Sequence, residues 1–323
     1  MSNGSSKASA VIAADLGGTH LRVAIIDEGG RIHFRLKQNT PRAENREVIV
    51  DALVTAARAC EEQSPGADVR AVSVVIPGLV NVASGMIVRV PNVGGLDGFQ
   101  IVEVLRQRLG RPVILENDAN AAAVGEMWQG AGRGKRTLVC LTLGTGVGGG
   151  IILDRKLWRG VTDTAGEIGH SSVEVFGPAC NCGSRGCLEV YASATGIVRM
   201  TREALPKHPH SILQTKAEFT AEEVHRAGVQ GDELALEVFH RMGMYLGVGL
   251  ANIVNILNPE MIVIGGGVAG GWDLFAKDMN EQIAARAFPL PAKHVKVVPA
   301  ECGDDAGLLG AAWLGFSGDS DLA

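Results

Sequence analysis

The run Glu116-Asn117-Asp118-Ala119-Asn120 sets two carboxyl and two carboxamide side chains side by side. Pro112–Leu115 before it reads as a short apolar strand, and Ala119–Met127 after it as an Ala-rich helix. Asp118 therefore stands where a strand hands over to a helix, its carboxylate near the orphan N–H groups of the first turn. Two uses are open. Asp is a preferred helix cap in that place, and a carboxylate there could equally serve as a general base that takes a proton from a hydroxyl. Glycine-rich turns on either side in the chain tilt the balance towards the second.

The first of these turns is Asp15-Leu16-Gly17-Gly18-Thr19, between the apolar strands Val11–Ala14 and Leu21–Ile26. Dinucleotide and Walker loops open a helix, whereas this turn joins two strands. Gly17 and Gly18 let the backbone approach a phosphate, and Thr19 adds a hydroxyl donor. Asp15, at the strand end, could hold a hydrated Mg²⁺. An ordinary hairpin is the competing reading, since Gly-Gly is a common hairpin pair. The pattern then returns: strand Leu138–Leu143, turn Gly144-Thr145-Gly146, strand Val147–Leu153, with Leu16, Gly17 and Asp27 falling on Leu143, Gly144 and Asp154. A duplicated strand-turn-strand core suits a two-lobed phosphotransferase that holds a triphosphate from both sides. A third glycine run, Gly265-Gly266-Gly267, lies between strand Met261–Ile264 and a helix beginning near Trp272. It could sit against the adenosine part of a nucleotide or be a tight strand-to-helix connection.

Cys180, Cys182 and Cys187 fall within eight positions, with His170 ten before the first. Three thiolates and an imidazole are the donor set of a tetrahedral Zn²⁺ site. Gly183 and Gly186 let the chain fold around an ion. Four protein ligands would close the coordination sphere, so the metal would be structural, pinning a loop that carries Glu167, His170 and Glu189. A redox use would need a Cys-x-x-Cys beside a thioredoxin-like unit, which this sequence lacks.

The elements that must position these groups read as follows. Glu44–Glu62 is an amphipathic helix, Val69–Ile76 a strand ending at Pro77-Gly78, and Val80-Asn81 with Met86–Val90 a small hairpin closed by a loop in which Asn92 could offer an amide. Ile101–Leu109 and Leu188–Met200 are helices. Pro206–Phe219 is a polar insertion with His208 and His210 expected in solvent. Gly231–Leu257 is a long helix whose Gly243, Gly247 and Gly249 imply close packing; Val295–Val298 is the last strand and Asp305–Leu314 a closing helix.

A chain of 323 residues has room for two domains. The boundaries expected are 1–118 plus 303–323 for a small lobe and 119–302 for a large lobe with the metal-binding loop. Few aromatics and a net charge of −5 without a basic block argue against nucleic acid. No apolar run approaches the ~20 residues of a membrane helix, and no signal core follows the N-terminus. A cytoplasmic protein without a membrane partner is expected.

With these motifs in view, the chain resembles the ROK family (bacterial repressors, open reading frames and kinases), and within it the glucokinases. The motifs that carry the resemblance are Asp15–Thr19, Glu116–Asn120, Leu143–Gly148, Glu167–His170, Cys180–Cys187 and Gly265–Gly267, in family order. The resemblance implies an α/β, actin-like (ribonuclease H-like) fold of two lobes with ATP in the cleft. It implies Asp118 as the base in transfer of the γ-phosphoryl group to a hexose hydroxyl, most simply O6 of glucose. It implies a sugar held by Gly78, Asn92, Asn117, Asp118, Glu167, His170 and Glu189, and zinc held by His170, Cys180, Cys182 and Cys187. ATP with Mg²⁺ would meet Asp15, Gly17, Gly18, Thr19, Gly144, Thr145, Gly146 and Gly265–Gly267. A homodimer is also implied. His20 departs from the family, where a Lys commonly follows Gly-Gly-Thr. The first strand starts at Val11, which leaves no room for the helix-turn-helix of repressor members. Kinases for fructose, mannose or an N-acetylhexosamine, a polyphosphate-using kinase and a sugar-sensing regulator without turnover are the other readings.

Overall fold

The computed structural model describes residues 8–42, 45–91 and 93–317. The chain forms two compact units: residues 1–134, 150–166 and 301–323, and residues 135–149 and 167–300.

The first unit opens with β1 (Ala8–Leu16), β2 (His20–Asp27) and β3 (Ile32–Asn39). Helix α1 (Arg46–Glu62), β4 (Ala67–Ile76), the hairpin β5 (Leu79–Asn81) and β6 (Met86–Arg89), α2 (Ile101–Leu109), β7 (Val113–Asn117) and α3 (Asp118–Gln129) follow. Its sheet has the order β3-β2-β1-β4-β7, with β4 parallel to β1 and β7. Ala10–Ala14 of β1 is an unbroken apolar run because both sheet faces are covered. Ile12, Ala14 and Leu16 join Ile49, Leu53 and Leu105 in one core. Val11 and Ala13 face the other way, into a core with Ala121 of α3 and Leu308 and Ala312 near the C-terminus.

Next come β8 (Leu138–Leu143), β9 (Val147–Leu153) and β10 (Lys156–Leu157). The helices α4 (Glu189–Ala192), α5 (Ala194–Ala204), α6 (Ala221–Val229) and α7 (Glu233–Leu257) lead to β11 (Met261–Gly265). The chain ends with α8 (Trp272–Arg286), α9 (Pro289–His294), β12 (Lys296–Pro299) and α10 (Ala306–Ser317). The second sheet has the order β10-β9-β8-β11-β12, β9 running from the second unit into the first. Numbered within itself, each sheet reads third-second-first-fourth-fifth, so the duplicated strand-turn-strand core extends to whole sheets.

The glycines of α7 do what their spacing predicts. A Cβ at Gly243 would lie 2.5 Å from the Phe275 carbonyl oxygen and one at Gly247 2.4 Å from that of Met279, so α7 and α8 pack backbone to backbone. Two expectations need correction. The helix expected over Leu188–Met200 breaks at Ser193, which is extended and uses its Oγ to accept the Gly196 N–H at 3.0 Å, the ordinary work of an N-cap. His208 is not a solvent residue: its side chain is 20% exposed and its ring pairs with Glu237 at 2.9 Å. Among the described residues, no helix is long and apolar enough to cross a membrane.

Candidate active site

At the end of β7 the cap is Asn117, not Asp118. Its Oδ1 accepts the N–H groups of Ala119 and Asn120 at 2.9 and 3.0 Å, and its Nδ2 donates to the Gly78 carbonyl at 3.0 Å. Both residue types are good caps, so sequence alone left the choice open. Asp118 becomes the first residue of α3, half-buried, its Oδ1 accepting the Ala119 N–H at 2.8 Å. A carboxylate there also lies at the positive end of the helix. Gly78 earns its place by backbone geometry: φ is +102°, and a Cβ would fall 2.4 Å from the Arg89 carbonyl oxygen. Asn92 lies outside the described residues.

Next to this turn is an ion pair whose second member, Arg159, sequence reasoning missed. Glu116, 1% exposed, takes Arg159 on its Oε2, with Nε at 2.7 Å and Nη2 at 2.5 Å. The signal was partial: a Glu at a buried strand end must find a donor, but nothing in the chain said which.

In the first glycine turn, Gly17 donates to the His20 carbonyl at 2.9 Å, and the Gly17 carbonyl accepts Thr40 Oγ1 at 2.5 Å. The Thr19 carbonyl accepts the Thr40 N–H. Gly18 lies between them. Asp15 is 7% exposed and paired with Arg22. Burial pushes its carboxyl up, while the Arg22 guanidinium pulls it back. His20 Nδ1 is buried without a hydrogen-bond partner among the described residues.

In the second unit, the Gly144 N–H donates to the Gly146 carbonyl at 2.9 Å, closing the matching turn. Glu189 grips that turn. Its Oε2 accepts the Val147 N–H at 3.0 Å, and a Cβ at Gly146 would lie 2.4 Å from it. Gly144 and Thr145 line a cavity of about 420 Å³ with Gly267, Val268, His225 and Phe239. The three glycines of the later run divide the work. Gly265 ends β11. Gly266, at φ +84°, packs a would-be Cβ 2.4 Å from the Leu143 carbonyl oxygen, as a tight connection demands, and Gly267 faces the cavity with open space around it. Gly266→Ala is therefore expected to lower stability by about 1–3 kcal/mol from backbone strain alone. Gly267→Ala should stay within about 0.5 kcal/mol. Urea unfolding midpoints check both.

His170, Cys180, Cys182 and Cys187 gather so that one ligand atom from each lies within 4.8 Å of all the others. Cys182 and Cys187 Sγ are 3.7 Å apart, and Cys180 Sγ is 3.7 Å from His170 Nδ1. Zn–S bonds of about 2.3 Å at tetrahedral angles place two sulfurs roughly 3.8 Å apart, so the cluster fits a tetrahedral cation. Burial pushes the Cys187 thiol up to about 12 and raises Cys180, whereas the Ser184 backbone lowers Cys182. A cation would override these shifts by drawing all three into thiolates. Glu189 Oε1 lies 3.9 Å from Cys180 Sγ, and Glu167 Oε2 is 3.8 Å from His170 Nε2. The cluster thus sits among the three side chains its loop was expected to carry, and Glu189 links it to the second glycine turn.

The ROK family pattern matches residues 11–316. The chain is 38% identical to a glucokinase of Halalkalibacterium halodurans over 94% of each protein. A ROK family glucokinase from Streptomyces griseus, solved in complex with glucose and AMPPNP, is 36% identical with a TM-score of 0.79, over 96% of this chain and all of that one. A ROK family transcriptional regulator, a homologue of the E. coli MLC protein, superposes with a TM-score of 0.88 at 26% identity, over 97% of this chain and 79% of its own. The α/β fold is thus the two-lobed, actin-like one of the ROK sugar kinases. From repeated sheets to cysteine cluster, the chain belongs to the ROK family.

Proposed function

We propose that the protein is an ATP-dependent hexose kinase acting on O6 of glucose. The likeness of nearly the whole chain to a glucokinase solved with glucose and AMPPNP carries this reading, and the carboxylate at the start of α3 agrees with it. Asp118 accepts the O6 proton as O6 bonds to the γ-phosphorus. The bond from that phosphorus to the bridging oxygen breaks, and ADP leaves. Such a transition state is loose, so positioning and charge stabilisation supply most of the rate.

Asn117, Glu167, His170, Glu189 and Asn92 are the residues proposed to hydrogen-bond sugar hydroxyls, with Gly78 holding Asn117 through its carbonyl. A sugar of the wrong epimer leaves one of these groups unpaired at about 1–3 kcal/mol. Gly17, Gly18, Thr19, Gly144, Thr145 and Gly146 meet the phosphates through backbone N–H groups. Gly265, Gly266 and Gly267 form the floor of the adenosine site. Asp15, its own charge answered by Arg22, would hold the Mg²⁺ that comes with ATP, and that ion would neutralise phosphate charge. His170, Cys180, Cys182 and Cys187 would hold Zn²⁺, which would keep the loop in shape. A cytoplasmic homodimer completes the reading.

The test is ADP release with ATP and a panel of glucose, mannose, fructose, N-acetylglucosamine and N-acetylmannosamine, with the product assayed as the 6-phosphate. Glucose is expected to lead in kcat/KM by roughly tenfold or more, the worth of a single unpaired polar group. A different leader reassigns the sugar. No turnover with any of them favours the second reading, a sugar-sensing regulator, to which the regulator likeness lends support.

A further inference from the structure

We propose that Arg159 is a positioning residue for the turn that carries Asp118, acting through the buried carboxylate of Glu116; this rests on the reading of Asp118 as general base. Glu116 is the penultimate residue of β7 and almost wholly buried. A carboxylate at that depth must be surrounded by donors or lose its charge. Three N–H groups hydrogen-bond it: Arg159 Nε donates to Oε2 at 2.7 Å, while the Asn117 backbone N–H at 2.9 Å and Asn120 Nδ2 at 3.0 Å donate to Oε1. Arg159 Nη2 adds an ion-pair contact to Oε2 at 2.5 Å. Asn117 in turn caps α3 and ties Gly78.

Asp118 is thus flanked on both sides by residues fixed to one carboxylate, and that carboxylate is fixed by Arg159. The same arginine governs the segment that follows it. Its carbonyl accepts the Ala165 N–H at 2.9 Å, and Asp163, at φ +59°, accepts the Val82 N–H through Oδ2 at 3.0 Å. Residues 159–165 are thereby anchored on the first unit, just ahead of Glu167 in the chain. An apolar pair of similar volume often serves stability as well as a buried ion pair. A charged N–H donor held in a rigid guanidinium plane, as Nε is here, fixes a carboxylate's direction better.

Arg159→Lys keeps the charge and loses the Nε donor on its rigid plane. Its kcat in ATP-dependent sugar phosphorylation is expected to fall about 10- to 100-fold, the cost of a base displaced by around an ångström. The KM for ATP should stay within about twofold, because binding shared by ground and transition states is untouched. In an Asp118→Asn background the same change should alter the residual kcat by less than about threefold, since a group acting through Asp118 has nothing left to position. Glu116→Gln, of the same shape, should reproduce the pattern and replaces Arg159→Lys in the cycle if that variant does not fold. An equal loss of kcat in both backgrounds, or unchanged kcat in a folded Arg159→Lys, overturns the proposal while leaving Asp118 in its role. Normal turnover in Asp118→Asn alone overturns the base reading, and this proposal with it.

Discussion

Asp118→Asn is expected to bind ATP and sugar yet turn over roughly 10²-fold or more slowly, the range that follows loss of a general base. Asn keeps the shape of the side chain and still offers an oxygen to the Ala119 N–H that Asp118 Oδ1 now accepts. It cannot accept the hydroxyl proton at neutral pH. The lost interaction belongs to the transition state, so kcat and kcat/KM should fall together while both KM values hold. Stability should barely move. The variant gives up a favourable charge at a helix N-terminus, worth about 0.3–1 kcal/mol, and the cap itself stays with Asn117. Steady-state ADP release and a thermal melt on one preparation are sufficient. A folded variant with near-normal turnover would take the proton-accepting role away from this residue.

What could be read in the chain was whatever depends on neighbours in sequence. Strand, glycine turn and strand are local, so both turns and the repeat were legible, and Ile101–Leu109 and Leu138–Leu143 appear with the bounds expected. The cysteine cluster was legible because its donors lie close along the chain. Arg159 was not, because its partner is Glu116, many residues away, and only the fold brings them together. The break at Ser193 was missed because apolar spacing continued through it. Helix α9 was left unassigned, although Pro289 opens the helix at a position where a missing N–H costs nothing. Glu189 shows a subtler limit. The family resemblance implied a sugar ligand, but only coordinates show one of its oxygens already engaged by Val147.

That double engagement shapes the second large effect, which concerns metal. Cys182→Ser is expected to lower bound zinc well below about one per chain and to weaken the sugar in the same step. Cys182 is the exposed member of the four, so serine fits without repacking, and what changes is the donor: a hydroxyl is a poor substitute for a thiolate on zinc. With three ligands left, the loop from His170 to Cys187 loses its pin, and His170 and Glu189 lose the orientation that Cys180 now helps to set. Each sugar hydrogen bond left unmade is worth about 1–3 kcal/mol, so the sugar KM should rise roughly tenfold or more. The ATP KM should rise less, because the loop acts on the second glycine turn through the Glu189 bond to Val147, and the 420 Å³ cavity is walled by residues outside the loop. Metal analysis by mass spectrometry, set beside the two KM values, separates the cases. A variant that is metal-free and fully active would show that the cluster holds no ion the sugar site needs. One that keeps its zinc but loses sugar affinity would show that Cys182 serves the loop by packing.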